Sequence, residues 1–305
     1  MRTGDAFNIL ALDGGGIRGV YGAHVLARLE DTLGSPVRER FDLIAGTSTG
    51  SILAGAASMN IPMETLVGLF ESQANRIFSR RRFSFFPFLR SRYSTHPLGQ
   101  VIGEYLPDVT MGQVPTPLMI TSSDISTGGV HVFKSRYLKE LGEPYMRDGQ
   151  VPLRDAILAS CAAPLYFDPR QVGEYLLADG GLWANNPAII AVTEAMSKFR
   201  RPLDKIRVLS VGTGHTASFY TRRGAWGLLT GWGGPKLVSY VLGLQSQAST
   251  NMAKLLLGER HLRLDPEINS WKLDDIKSVE SLKALAGRDF THYSKAILAS
   301  LEDRE

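Results

Sequence analysis

The chain has 305 residues, 44% of them hydrophobic and 21% charged, a balance ordinary for a globular protein with a buried core. Its net charge of +4 is too mild to indicate a nucleic-acid polymer as partner, and a single cysteine, Cys161, excludes an internal disulfide framework and a thiolate metal cluster. No apolar run approaches the roughly 18–20 residues that span a bilayer, and the first motif is reached by residue 14, so a cytoplasmic protein without a cleavable leader is expected.

Phe7 to Leu12 is a short apolar run ending at Asp13 and a glycine tract, the pattern of a buried strand. Helical spacing follows from Tyr21 to Leu33, with Gly34 as a stop. A second strand over Phe41–Ala45 leads into Gly46-Thr47-Ser48-Thr49-Gly50, and Ser51–Ser58 forms a small-residue helix. Two strand–turn–helix units in succession imply a parallel sheet with helices on its faces. Further on, the sequence predicts a helix over 62–78, strands over 117–125 and 130–133, a helix from Pro152, a brief strand over Leu176–Ala178, and a strand over Ile206–Val211. A long amphipathic helix over Pro235–Leu257 would bury Leu237, Val241, Leu244, Ala248, Met252 and Leu255. Leu273 to Leu301 reads as polar-faced helix. A single domain over 1–305 is expected, with a motif-bearing core at about 7–214 and a helical C-terminal portion at about 235–301.

Three short stretches carry chemistry. Glycines at both ends of Gly46–Gly50 permit a sharp strand-to-helix turn that lifts the Ser48 hydroxyl above the sheet edge, close to a helix N-terminus. In Asp13–Gly19, glycines let successive N–H groups converge on an anion. A nucleotide phosphate is disfavoured there, because no Gly-Lys-Ser/Thr follows and no acidic ribose partner stands about 20 residues on. An oxyanion hole fits better, and Arg18 is read as holding the loop, binding a lipid phosphate or standing as a surface charge at the helix start. Asp179, followed by Gly180 and Gly181, is a candidate base if it is desolvated and bonded to the serine. A rival assignment is a triad of Ser48, Asp179 and His215, which has the chain order of α/β-hydrolases. The other histidines are read as structural or solvated. No His/Cys/carboxylate cluster has metal-ligand spacing, so neither metal nor cofactor is implied.

In these residues the chain resembles the patatin-like phospholipase family, whose signatures are the Gly-Gly-Gly-x-Arg/Lys-Gly loop, the Gly-x-Ser-x-Gly elbow and the Asp-Gly-Gly/Ala motif, standing here at 14–19, 46–50 and 179–181. The segments at 123–128, 159–164 and 185–187 are similar to the family's as well. The resemblance implies a three-layer α/β/α fold with a mainly parallel sheet, a Ser48–Asp179 dyad without histidine, and an oxyanion hole of Gly14, Gly15 and Gly16 with Arg18 and Gly19 in the supporting motif. It also implies hydrolysis of fatty-acyl esters of membrane glycerophospholipids. The length and compactness also resemble phospholipase effectors of bacterial anti-phage signalling, which would bring a cyclic-nucleotide activator. A ligand-gated effector with an inactive resting form, an acyltransferase and a neutral-lipid esterase stand as alternatives.

Residues 76–93 hold six arginines and six aromatics. Arg80, Arg81 and Arg82 with Phe85 and Phe86 are therefore candidates for contact with a membrane surface or a ligand, as is Trp226. The expected partners are a phospholipid membrane met peripherally from its inner face, a cyclic nucleotide, and a further copy of the chain.

Overall fold

The structure, a computed structural model, describes residues 6–80, 90–135, 137, 147–216, 220, 226–227, 230–268 and 272–301. Strand β1 (Phe7–Leu12) is apolar throughout because both its faces are covered. Leu10 and Leu12 enter one core and Phe7, Ile9 and Ala11 the other. Helix α1 (Gly19–Leu33) ends at Gly34 with φ 62°, as the glycine stop predicts. The second unit is β2 (Leu43–Thr47) and α2 (Thr49–Ser58), with Ser48 alone between them. The strand begins two residues later than expected and takes in Gly46 and Thr47, which shortens the turn to that one serine. Every residue of α2 is buried, and this accounts for its small side chains.

Next come α3 (Met63–Ile77), α4 (Thr95–Tyr105) and the hairpin of β3 (Leu118–Asp124) and β4 (Gly129–Lys134). They are followed by α5 (Leu153–Ser160), the hairpin of β5 (Arg170–Val172) and β6 (Tyr175–Asp179), and α6 (Gly181–Ala184). The chain continues through α7 (Ala188–Ser197), β7 (Ile206–Val211), α8 (Pro235–Leu257), β8 (His261–Leu264) and α9 (Val279–Leu301).

The sheet order is β5-β6-β3-β2-β1-β7-β8, with β4 also on β3. The run from β3 to β8 is parallel and the two hairpins are antiparallel. Residues of α1 to α5 and α9 share the larger core. Residues of α7, with Leu257 at the end of α8, pack in the smaller one. The result is the expected α/β/α sandwich. No helix among the described residues is long and apolar enough to cross a membrane.

One register relation positions the site. β4 runs along β3 from Met119 to Asp124, occupying one edge of that strand. The other edge is shared: β2 pairs with it up to Thr47 opposite Thr121, and β6 takes over with Asp179 opposite Ser122. The C-terminal ends of β2 and β6 therefore meet head-on along one ladder, which brings Ser48 and Asp179 together although 131 positions separate them in the chain.

Helix α8 corrects the sequence reading. Its bounds agree, but its buried residues are Ser239, Leu242, Ser249, Ala253 and Leu257, while Leu255 is 86% exposed. Polar contacts decide the orientation. Asn186 donates its N–H to Gln245 Oε1 (2.8 Å) and its Nδ2 to Thr250 Oγ1 (3.1 Å), and the Ser246 hydroxyl donates to Asp13 Oδ2 (2.9 Å). These bonds satisfy buried groups, and leaving such groups unmade costs more than exposing one leucine. Helix α9 is less polar-faced than expected, since Leu282, Ala286 and Phe290 are buried and the Asp289 carboxylate accepts from the buried Tyr21 hydroxyl of α1 at 2.9 Å.

Candidate active site

Ser48 sits between strand and helix with φ 52° and ψ −126°, a left-handed conformation that a residue with a side chain rarely adopts. The surroundings enforce it. Its N–H donates to Ser160 Oγ (2.8 Å), and its carbonyl accepts from both the N–H (2.8 Å) and the hydroxyl (2.6 Å) of Ser51. The flanking glycines are needed for close approach: a Cβ on Gly46 would lie 2.3 Å from the Gly50 carbonyl oxygen, and one on Gly50 would lie 2.2 Å from the Leu12 carbonyl oxygen. Strand, turn and helix are thus locked against the end of β1.

Asp179 is buried, with its main chain held on both sides. Its N–H donates to the Ala162 carbonyl (3.0 Å), and its own carbonyl accepts from the Ser123 hydroxyl (2.8 Å). Burial pushes its carboxyl up to about 6, against the opposing pull of the Gly181 N–H (2.7 Å to Oδ1) and of the Ser48 hydroxyl. The Ser48 hydroxyl and the Asp179 carboxyl are therefore neighbours at the meeting of the two strand ends. Gly180 is required because a Cβ there would fall 2.4 Å from the Thr121 carbonyl oxygen.

The glycine loop is fastened from several directions. Gly14 donates its N–H to the Asn185 carbonyl (3.1 Å), and its own carbonyl accepts from Thr213 Oγ1 (2.8 Å). Ile17 donates its N–H to the Leu273 carbonyl (2.9 Å). The three glycines of the run differ in their amide partners. The Gly14 N–H is engaged, and the N–H groups of Gly15 and Gly16 have no acceptor among the described residues. Arg18 is not a surface charge. It is buried, with Nε donating to the Gly15 carbonyl (3.2 Å) and Nη1 to the Gly214 carbonyl (3.3 Å). Asp13, at the other end of the loop, forms a two-pronged pair with Arg263 at 2.7 and 2.6 Å.

A narrow apolar slot of about 50 Å³ opens beside Ser48, lined by residues that include Gly16, Ile52, Phe70, Phe167 and Leu273. Cys161 lies on its wall, and burial pushes its thiol above the usual range. Neither Asp13 nor Arg18 reaches the slot.

His215 does not join this group. Its Nδ1 lies 3.4 Å from Asp265 Oδ2, and it lines a different cavity from the slot at Ser48. Arg80 is exposed at the base of the basic aromatic segment, whereas Arg81, Arg82, Phe85 and Phe86 lie outside the described residues. Trp226 is 43% exposed, with its ring centroid 5.9 Å from that of Tyr220 and 5.3 Å from that of Trp232. Sequence reading missed Ser160, Thr213, Ser246, Arg263 and Leu273. Their contacts with the site are long-range, and Ser160, within the family-like segment 159–164, was seen without its bond to the Ser48 N–H. Asn185 was visible as part of Asn-Asn-Pro, but without its role of tying Gly14 in place.

The packing around the elbow makes a direct prediction. Gly50→Ala forces a Cβ into backbone that cannot yield, and should cost about 3 kcal/mol in denaturant unfolding or prevent folding. Gly68→Ala on α3 meets nothing within 4 Å and should stabilise by about 0.5–1 kcal/mol. Wild-type stability in Gly50→Ala would contradict the geometry.

Comparison with known proteins agrees with this architecture. A family model described as Patatin-like phospholipase matches residues 10–192, a span that contains the glycine loop, the elbow and Asp179. The cGAMP-activated phospholipase of Pseudomonas aeruginosa is 32% identical over 282 residues, covering 90% of this chain and 82% of that protein. The cGAMP-activated phospholipase of Vibrio cholerae is 32% identical over 320 residues, covering 92% and 88%. Patatin-like protein 2 of Arabidopsis thaliana is 31% identical over 345 residues, covering 93% and 82%. With the family model spanning more than half of the sequence and relatives similar along nearly all of it, the chain belongs to the patatin-like phospholipase family and is a lipid acyl hydrolase.

Proposed function

We propose that the protein hydrolyses acyl esters of membrane glycerophospholipids through Ser48 and Asp179, and that a cyclic nucleotide switches it on. The observation that carries the catalytic reading is the meeting of the β2 and β6 ends, which sets the Ser48 hydroxyl beside the buried Asp179 carboxyl. Ser48 Oγ attacks the ester carbonyl and its proton passes to Asp179. The N–H groups of Gly15 and Gly16 receive the developing oxyanion. Collapse breaks the ester C–O bond, and the departing alcohol takes the proton from Asp179. Water then adds to the acyl-enzyme with Asp179 again as base, releasing the fatty acid and restoring the serine. The carbons of the acyl chain next to the ester enter the slot between Ile52 and Phe70. A carboxyl raised to about 6 is a stronger base than an ordinary aspartate and is still ionised at neutral pH. Gating by a cyclic nucleotide is supported by the relatives, which carry the names cGAMP-activated and cUMP-AMP-activated phospholipase. Reaction occurs at a membrane surface met peripherally, with the exposed indoles of Trp226 and Trp232 at the interface.

The catalytic reading is tested by fatty-acid release from phospholipid vesicles, with and without cGAMP or cUMP-AMP. Ser48→Ala and Asp179→Asn should each lower the rate by roughly 10²–10⁴-fold while remaining folded, and undiminished hydrolysis in either would remove that residue from the mechanism. The pH dependence carries a sign. Activity should fall as pH drops through about 6, where Asp179 takes up its proton. Stability runs the other way. A carboxyl whose pKa is raised on folding binds its proton more tightly in the folded state, so its contribution declines between about 4 and about 6 as pH rises. Asp179→Asn should therefore unfold at higher denaturant than wild type at pH 8, with the gap closing toward pH 4; a wider gap at low pH would contradict the assignment. For the surface reading, Trp226→Ala should reduce co-sedimentation with phosphatidylglycerol vesicles severalfold, and unchanged co-sedimentation would exclude that edge from the interface.

A further inference from the structure

A second cavity, of about 430 Å³, lies on the other side of the glycine loop from the acyl slot, and the two share no lining residue. Its volume falls within the roughly 300–1,000 Å³ of small-molecule sites. Its walls are the polar face of α8 and the strand ends at Thr213–Thr216 and Arg263–Asp265. Asp13 and Arg18, the residues bracketing the glycine run, both line it. Whatever occupies the cavity therefore touches both ends of the loop whose middle faces Ser48.

The charge pattern indicates the ligand class. Arg263 pairs with Asp13 at 2.6 Å and with Asp265 at 3.2 Å, and His215 shares Asp265. Arg18 forms no ion pair among the described residues and donates only to the carbonyls of Gly15 and Gly214. It is 8% exposed, and desolvation depresses its pKa although the charges of Asp265 and Asp13 oppose that. A buried guanidinium without a carboxylate partner, facing a cavity, is a costly arrangement that an anion relieves. Among the described residues, the buried Thr216 Oγ1 and Arg263 Nε also have no hydrogen-bond partner. Tyr240 adds a ring to the wall, and Gln247 and Ser239 add neutral polar groups.

We infer that this cavity is the activator site, taking a cyclic dinucleotide with phosphate on Arg18 and His215 and a base against Tyr240, and acting on hydrolysis by resetting Asp13 and Arg18 at the two ends of the glycine loop. The inference rests on the nucleotide-gated reading above and assigns that regulation to a place. The linkage runs through one network: Ser246 of α8 donates to Asp13 Oδ2 and accepts from Asn185 Nδ2 (2.9 Å), and Asn185 holds the Gly14 N–H. A ligand that moves α8 against the strand ends shifts Asp13 and Gly14 together.

The test is calorimetric titration of the full chain, as wild type, His215→Gln and Tyr240→Ala, with cGAMP, cUMP-AMP, inorganic phosphate and glycerophosphoethanolamine. Vesicle hydrolysis is read in parallel. His215 is an exposed side chain and Tyr240 a partly exposed one, so both variants should fold. The expected result is one cyclic dinucleotide binding wild type, at least about tenfold weaker affinity in each variant, and a matching rightward shift of the activation curve. Equal affinity in both variants would place the nucleotide elsewhere and overturn this inference while leaving the gated reading intact. Binding of glycerophosphoethanolamine in place of the dinucleotides would make the cavity a lipid-headgroup subsite and overturn it. Ser48-dependent hydrolysis with no dinucleotide binding would overturn both the inference and the gating. Dinucleotide binding with hydrolysis indifferent to Ser48 would sink only the catalytic reading.

Discussion

The ladder on one edge of β3 is the constraint on which the rest of the site depends. β2 occupies that edge as far as Thr121 and β6 continues it from Ser122. Two strand ends that point at each other can bring a serine and a carboxylate together without a long side chain from either. The same junction removes water from Asp179. Burial pushes the carboxyl up to about 6, while the Gly181 amide pulls in the opposite direction.

Around that junction, the glycine loop is held by contacts of unlike kinds. Asn185 and Thr213 take the Gly14 peptide, Leu273 takes the Ile17 N–H, and Arg18 closes back on Gly15. Between these fastenings the Gly15 and Gly16 amides have no acceptor among the described residues. The fastenings belong to two different neighbours. Leu273 borders the acyl slot, whereas Asn185 and Arg18 border the polar cavity against α8. The loop therefore borders both the apolar slot beside Ser48 and the larger cavity against α8.

Much of this was legible in the sequence because the responsible signals are local. Apolar runs ending in glycine located β1 and β2, and the small residues after Ser48 announced a helix buried on all sides. The Asp-Gly-Gly turn marked the end of β6. The exceptions have physical reasons. β8 and β5 are short edge strands of four and three residues, too brief for a period to show. In α8, hydrophobic periodicity named the wrong face, because Ser246, Gln245 and Thr250 are drawn inward by Asp13 and Asn186. Polar groups whose partners lie 59 or more residues away outweigh the leucines, and no pattern within a helix reveals that. The same blindness hid Arg263, whose value lies in its pairing with Asp13, and made His215 look like a triad member when its partner is Asp265.

The central claim is that Ser48 reacts while the Gly15 and Gly16 amides hold the oxyanion. Its most direct test is the structure of the protein after reaction with a long-chain alkyl fluorophosphonate. The expected product is a phosphonyl group on Ser48 Oγ, its free oxygen accepting from the N–H groups of Gly15 and Gly16, with its alkyl chain starting between Ile52 and Phe70. A label on another residue, or a free oxygen turned away from both amides, would contradict it.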